Sequence, residues 1–275
     1  MWNIVQCAVQ GRSHIKSGTP CQDKVFSWSK NKCNVIALAD GAGSAKFSHF
    51  GAGSVTRFMS KAICNDFDNL FNENNGVEIK QKLIDCINHC LADLAQELKC
   101  EKTDLASTFL LAAVCVDRYI LIHLGDGVIG YLKNDELKIA SFPENEEFAN
   151  VTYFTTSREA IQKIKIIKGN LGNISGFALM SDGTEFSFLD KRNKCLCEAL
   201  KKIMVESKGH NADLNNEVRE FFESHVKQKT SDDCSLITIV KAPDIGIISR
   251  IQIFIKKSLN KIFMFFRHFI NKGNN

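Results

Sequence analysis

Three short apolar segments of this chain each end in an aspartate that is followed by glycine. The segments are NVIALAD (34–40), LIHLGD (121–126) and FALMSD (177–182), and a fourth apolar segment, 235–240, begins two residues after the Asp232-Asp233 pair. Apolar runs of this length are typical of buried strands rather than helices. Strands of one packed sheet system can bring such ends to a shared rim, so the pattern predicts that acidic side chains converge there.

Convergent carboxylates repel one another unless something neutralises them. Hard divalent cations such as Mg²⁺ or Mn²⁺ relieve this repulsion and prefer oxygen ligands. Glycine beside each aspartate would let the backbone turn sharply and approach an ion closely. A single Asp-Gly pair at a strand end is also a common turn. From spacing alone, a metal site and a set of simple turns therefore both remain open.

The composition is that of a globular protein. The chain has 275 residues, 44% of them hydrophobic and 24% charged, and neither value points to a disordered chain or to a membrane-embedded body. This length predicts one large domain or two small ones.

The net charge of +4 comes from the C-terminus. From Pro243 onward there are six basic residues and one acid, Asp244; removing them from 35 Lys and Arg and 31 Asp and Glu leaves 29 basic and 30 acidic residues. A near-neutral body lacks the basic face that nucleic-acid binding needs. We therefore expect a domain at 1–242 and a separate basic tail at 243–275.

Eleven cysteines occur without a regular spacing, and the N-terminus lacks the features of a secretory signal. We therefore expect reduced thiols and a cytoplasmic protein. Cys86, His89 and Cys90 have helical spacing, but without a matching fourth ligand they favour a buried helix face over a zinc site.

Periodicity predicts a mixture of strands and helices. Strands are expected at 3–10, 25–28, 34–39, 108–116, 119–124, 128–132, 176–180 and 235–240, and helices at 51–67, 77–98, 195–205 and 214–226, with a turn-rich segment at 11–22.

Seven segments together resemble the metal-dependent protein serine/threonine phosphatases of type 2C (the PPM family), in a divergent bacterial branch. They are GRSHIKSGTPCQDKVF (11–26), VIALADGAGSAKFSHFGA (35–52), ASTFLLAAV (106–114), LIHLGDGVIGYL (121–132), EEFANVTYFTT (146–156), GFALMSDGTEF (176–186) and TSDDCSLITI (230–239). The resemblance implies an α+β fold: a β-sandwich of two antiparallel sheets flanked by helices, with metals at one end.

The resemblance also implies roles for individual residues. Asp40 would bridge two Mg²⁺ or Mn²⁺ ions, with the Gly41 carbonyl as a further ligand. Asp182 and Asp232 would bind the first ion, and Asp126 would help to hold a weaker third one. Asp23 would orient water from outside the ligand shell, so Asp23, Asp40 and Asp182 are the catalytic candidates. The ions would activate a water that attacks phosphorus directly, without a phosphoenzyme.

Three positions depart from the usual family pattern. Gln22 stands where the family usually has glutamate, and Ala42 stands where many members have a proton-donating histidine. The arginine that often grips substrate phosphate is replaced near Gly18 and Thr19, and Arg12 or His14 is the candidate substitute. The segment 147–152, EFANVT, resembles a signature of the same branch, with no chemistry assigned to it.

The tail is predicted to form a basic amphipathic helix. Apolar residues recur every three or four positions over 245–272, and the six basic residues fall on the opposite side. This charge argues against a transmembrane span. Packing or self-association, docking of a partner, and binding to an anionic membrane surface remain alternatives.

We therefore expect an enzyme that removes phosphate from phosphoserine and phosphothreonine in proteins and opposes a Ser/Thr kinase. Its partner would be a phosphorylated protein, such as a kinase or a kinase target. We expect it in the cytoplasm, and the tail could hold it at the inner face of the membrane. Two alternatives remain: a pseudophosphatase that binds phosphoproteins without turnover, favoured by Gln22 and Ala42, and a regulatory scaffold acting through its tail.

Overall fold

The apolar segments form two five-stranded antiparallel sheets in a computed structural model that describes residues 1–143, 152–209 and 212–243. The strands are β1 (Trp2–Val9), β2 (Lys24–Lys30), β3 (Cys33–Ala39), β4 (Phe109–Cys115), β5 (Arg118–Leu124), β6 (Val128–Lys133), β7 (Glu136–Ser141), β8 (Lys165–Asn170), β9 (Ile174–Met180), β10 (Leu189–Asp190), β11 (Cys195–Leu196) and β12 (Cys234–Lys241). The first sheet has the order β1-β12-β9-β6-β7 and the second β2-β3-β4-β5-β8, while β10 and β11 form a short separate pair.

Helices and short helical turns connect the strands. The α-helices are α1 (Arg12–Ser17), α2 (Ser48–Asn65), α3 (Phe67–Asn72), α4 (Gly76–Leu98), α5 (Ala160–Lys163), α6 (Glu185–Phe188), α7 (Glu198–Glu206) and α8 (Leu214–Phe221). Short 3₁₀ turns lie at Lys102–Leu105, Asp182–Thr184 and Lys227–Lys229, and a π-helical turn at Phe222–Val226 follows α8.

Alternate residues of the central strands face two different cores. In β3, Ile36 and Leu38 belong to the core between the sheets, whereas Val35 and Ala37 pack with residues of α2 and α4. Because both faces of such a strand are buried, its sequence is apolar throughout rather than alternating. The first sheet is covered in the same way by α7 and α8. The result is a four-layer α-β-β-α sandwich, which confirms the predicted fold class.

Tertiary contacts explain where local structure differs from the expectation. The helix predicted at 195–205 is present as α7, but its predicted start is wrong: Cys195 and Leu196 form β11, which pairs with β10, and α7 begins only at Glu198. The Cys197 amide donates to the Phe188 carbonyl at 2.9 Å, which ends the strand pair. The short helix α1 occurs within the segment expected to be turns, and its Ser13 amide donates to the Ser231 carbonyl.

The body from Met1 to Lys241 packs as one compact unit. Among the residues that the structure describes, no helix is long and apolar enough to cross a membrane. The predicted amphipathic tail falls almost wholly on 244–275, outside the described residues, so the tail and the domain boundary stay predictions.

Candidate metal centre and active site

The acidic ends of four strands meet at one cavity of about 260 Å³. Asp40 follows β3, Asp126 lies just after β5, Asp182 lies just after β9, and Asp232 lies just before β12. The cavity is lined by Ser13, His14, Gln22, Asp40, Gly41, Ala42, Gly43, Thr108, Asp126, Phe154, Asp182, Ser231 and Asp232. Residues that are distant in sequence therefore form one acidic site.

Two clusters of metal-ligating side chains occur in the described part of the chain. In one, ligand atoms of Asp40, Asp126 and Asp182 all lie within 4.8 Å of one another. The other joins His14, Asp232 and Asp233 by the same criterion. Neither cluster includes Cys86, His89 or Cys90; the Cys90 thiol lies 3.1 Å from the Ser54 hydroxyl, and His89 pairs with Asp93 at 3.6 Å on the surface.

Two glycines allow the aspartate loops to approach one another. Gly125 has a φ of +115°, and a Cβ there would lie 2.5 Å from the Thr108 side chain. At Gly183 a Cβ would lie 1.9 Å from the Asp233 carbonyl oxygen, so the loop after β9 and the loop before β12 touch through backbone. Any larger residue would separate Asp182 from Asp232 or displace Asp126.

Two hydrogen bonds with Thr108 hold the loop that carries Asp40. The Asp40 amide donates to the Thr108 hydroxyl at 2.9 Å, and the Thr108 amide donates to the Asp40 carbonyl at 2.8 Å. Gly41 forms an isolated β-bridge with Ser107. Because Thr108 directly precedes β4, the Asp40 carboxylate is positioned by pairing within the second sheet.

Burial and mutual repulsion raise the pKa values of three carboxyl groups in the site. Burial raises the pKa of Asp23 to about 6, although a hydrogen bond from the Ser181 hydroxyl at 2.7 Å opposes that increase. Burial, followed by the negative charges of Asp126 and Asp232, raises the pKa of Asp182 to about 7. The pKa of Asp40 is raised well above its usual range by burial and then by Asp23 and Asp182. The cavity therefore concentrates more negative charge than the fold itself neutralises.

Several carboxylate oxygens in this cavity have no hydrogen-bond donor. Oδ1 of Asp23, of Asp126 and of Asp182 is buried without a hydrogen-bond partner among the described residues. Unsatisfied buried carboxylate oxygens are costly unless a cation takes the donor's place. The donor set consists of oxygen atoms, so the residues present fit a hard divalent cation.

Asp233 holds the loop between β1 and β2 against the site, a role that the sequence alone did not indicate. Its two carboxylate oxygens accept the Gly11 and Gln22 amides, both at 2.6 Å, and Oδ1 lies 2.9 Å from Nδ1 of His14. The family resemblance implies that the first acid of the Asp-Asp pair, Asp232, is a metal ligand, but Asp233 is the more buried of the two, at 2% exposure. Asp233 thereby places His14 and Gln22 at the wall of the cavity.

The two candidate phosphate-binding residues occupy different places. His14 lines the cavity, whereas Arg12 is exposed and its Nε donates to the Thr230 carbonyl at 3.0 Å. Gln22 is buried and its side-chain amide donates to the Ser48 hydroxyl at 2.6 Å. Ala42 packs in an apolar cluster with Ala45, Ala106 and Phe154.

Thr152 is a second contact that sequence reasoning missed. Its hydroxyl donates to Oδ2 of Asp126 at 2.6 Å. The preceding residues of the EFANVT segment, 147–151, lie outside the described residues. The only signal in the sequence was the resemblance of that segment to a signature of the phosphatase branch.

The raised carboxyl pKa values predict how stability depends on pH when metal is removed. The usual aspartate pKa is 3.8, so above that pH the unfolded chain releases protons that Asp23 and Asp182 retain in the folded state. The unfolded state then binds fewer protons, and the free energy of unfolding falls as pH rises from about 4 to 7. With a chelator present, we expect the melting temperature to be several degrees lower at pH 7.5 than at pH 5.5, at about 2–4 °C per kcal/mol.

Asp182→Asn is the control for this effect. The amide cannot titrate, so this variant should show a smaller drop in melting temperature between the two pH values. An unchanged drop would contradict the assignment of the effect to this cavity.

Comparison with known proteins identifies the family and supports the fold. The sequence model of one family, described as Protein phosphatase 2C, matches residues 10–227. Serine/threonine-protein phosphatase 3 of Escherichia coli K12 is 26% identical over 196 residues, which cover 67% of this chain and 74% of that protein.

Solved structures show the same fold. A bacterial serine phosphatase superposes with a TM-score of 0.62 at 15% identity, over 89% of this chain and all of that one. The serine/threonine phosphatase Stp1 of Staphylococcus aureus gives a TM-score of 0.57 at 14% identity, over 88% of this chain and 96% of that one. The family match covers most of the chain and confirms the resemblance seen in the motifs: this chain belongs to the protein phosphatase 2C family.

Proposed function

We propose that this protein hydrolyses phosphoserine and phosphothreonine in phosphorylated proteins, with Mg²⁺ or Mn²⁺ bound in the acidic cavity. The observation that carries this proposal is the cluster of Asp40, Asp126 and Asp182, whose ligand atoms lie within 4.8 Å of one another. Two of these aspartates, Asp126 and Asp182, keep a buried oxygen that accepts no hydrogen bond from the described residues. The cluster lies within the part of the chain that matches the phosphatase family.

The proposed ligands come from both sheets. Asp40, the Gly41 carbonyl, Asp182 and Asp232 would hold two ions, and Asp126 would help to hold a weaker third one. When bound, the ions supply Lewis-acid chemistry that activates water and neutralises charge on the phosphoryl oxygens.

We propose that Asp23 orients water from outside the ligand shell and does not bind an ion itself. Ser181 donates to its Oδ2, and Oδ1 remains buried without a partner in the described part of the chain. With one oxygen fixed, the other is oriented to accept a proton or a water hydrogen bond beside Asp40. This is a positioning role that needs the carboxyl group but not a direct contact with substrate.

The central test is metal-dependent hydrolysis of a phosphoserine or phosphothreonine peptide. We expect activity that requires Mn²⁺ or Mg²⁺ and that falls by at least about 100-fold in Asp40→Asn and in Asp182→Asn, because each amide removes a charged oxygen ligand. Phosphate release across a panel of metals measures this and also distinguishes Mg²⁺ from Mn²⁺.

Two results would contradict parts of this proposal. Full activity in both variants would refute the site assignment. Binding of Mn²⁺ and of phosphopeptide without phosphate release by the unaltered chain would favour the pseudophosphatase alternative, although the carboxylates that a metal site needs are all present.

We infer that His14, rather than Arg12, contacts the substrate phosphate. His14 lines the cavity and its Nδ1 lies 2.9 Å from the buried Asp233 carboxylate. In the imidazolium form both ring nitrogens are donors, so Nδ1 can face the carboxylate while Nε2 donates to an anion. Arg12 is exposed and is not among the residues that line the cavity.

Kinetics of single variants separate these two candidates. We expect His14→Ala to raise KM for a phosphopeptide by about 10-fold or more, since a hydrogen bond to a charged group contributes about 1.5–3 kcal/mol. Arg12→Ala should change KM by less than about threefold. The opposite ranking would place the phosphate contact at Arg12.

We further propose that the enzyme opposes a Ser/Thr kinase in the cytoplasm, and that residues 1–242 suffice for catalysis. All proposed site residues lie within the compact unit Met1–Lys241. We therefore propose that the basic tail localises the protein or mediates its association with other molecules, and does not take part in catalysis. Binding of the tail to the inner membrane face is one of its three alternatives.

Removal of residues 244–275 tests the tail. We expect the shortened chain to keep its phosphatase activity, because the cavity and both sheets remain. Sedimentation with anionic liposomes that the deletion abolishes would support membrane binding, and unchanged sedimentation would eliminate it. A shift in oligomeric state on deletion would instead support self-association.

A further inference from the structure

Thr152 begins a short segment, 152–157, that lies against the acidic cavity. Its hydroxyl donates to Oδ2 of Asp126 at 2.6 Å. Phe154, two residues later, lines the cavity. The segment therefore contacts the site through the Asp126 carboxylate, although the segment itself is not one of the strand ends that carry the acidic residues.

The same segment is anchored to the loop that carries Asp40. The Thr155 amide donates to the Ser107 carbonyl at 2.8 Å, and Ser107 is the residue bridged to Gly41. Phe154 packs with Ala42, Ala45 and Ala106. Residues 152–155 thus connect the Asp126 side of the cavity with the Asp40 side.

The hydrogen bond from Thr152 has a specific effect on Asp126. Ligand atoms of Asp126 and Asp182 lie within 4.8 Å of each other, so the two carboxylates repel when both are ionised. Repulsion favours rotation of the Asp126 side chain away from the cavity. A donor on Oδ2 opposes that rotation, while Oδ1 stays buried with no hydrogen-bond partner among the described residues and is free to face a cation.

We propose that Thr152 is a positioning residue that holds Asp126 for cation binding, so that the cation and the docked 152–157 segment stabilise each other. The proposal rests on the proposed metal role of Asp126. Groups that orient metal ligands from outside typically change metal affinity by about 10–100-fold when they are lost. Because coupling between two sites is reciprocal, a cation at Asp126 must then also stabilise the segment.

Titration calorimetry with Mn²⁺ on the full, metal-stripped chain tests the first half of this coupling. Thr152→Val keeps the shape of the side chain but removes the hydroxyl, and we expect about 10-fold weaker binding at the weakest Mn²⁺ site. Thr152→Ser keeps the donor and should stay within about threefold of the unaltered chain. Thr56→Val is the control for loss of a threonine hydroxyl, because the Thr56 hydroxyl donates within α2, to the Ala52 carbonyl, away from the cavity.

Hydrogen exchange tests the second half. We expect Mn²⁺ to slow exchange of the Thr155 amide in the unaltered chain and in Thr152→Ser, and to slow it much less in Thr152→Val. A double variant isolates the pair: in an Asp126→Asn background, Thr152→Val should change Mn²⁺ affinity by less than about twofold. Should Thr152→Val fail to fold, Thr152→Ala replaces it in each comparison.

Specific results would overturn the proposal. Equal Mn²⁺ affinity in Thr152→Val and the unaltered chain would remove the positioning role but leave the metal site intact. The same loss of affinity with Asp126→Asn as without it would show that Thr152 acts elsewhere. An unaltered chain that binds no Mn²⁺ would overturn the proposed metal site together with this role.

Discussion

The constraint on which the site depends is the concentration of carboxylates in a buried cavity. Burial and mutual repulsion raise the pKa of Asp40 and Asp182, so holding these groups together costs the fold free energy when no cation is present. The strands that bear these residues must therefore be stable enough to offset this unfavourable free energy. The fully buried central strands, with an apolar core on each face, provide that stability.

The cavity lies where both sheets contribute. Asp40 and Asp126 are attached to strands β3 and β5 of the second sheet, whereas Asp182 and Asp232 are attached to β9 and β12 of the first. Their separation is therefore set by how the sheets pack, through residues such as Ile36, Leu38, Phe177 and Leu179. A densely packed core resists sliding, which explains why a sandwich suits a site that needs ligands at fixed distances.

The sequence alone could predict the parts of the fold that follow from local pattern. An apolar strand that ends in Asp-Gly is visible at Asp40, Asp126 and Asp182, and the family resemblance orders these strands into a sandwich. The strands β7 and β8 were missed because these edge strands carry lysines and are only half-buried. Asp233 and Thr152 were missed because their roles arise from contacts with Gly11, Gln22 and Asp126, which spacing cannot show.

The two residues that depart from the usual family pattern, Gln22 and Ala42, both make specific contacts around the cavity. The Gln22 side chain donates to the Ser48 hydroxyl, and its backbone amide donates to the Asp233 carboxylate. The small Ala42 side chain leaves room for Phe154 to pack beside Ala106. The neutral amide and the small apolar residue therefore belong to one consistent arrangement, in which His14 enters the cavity wall on the Asp233 side. A site that had lost its function would have no need to keep Asp23, Asp40 and Asp182 buried together at such electrostatic cost. The arrangement favours an active site with an altered phosphate contact over a degraded one.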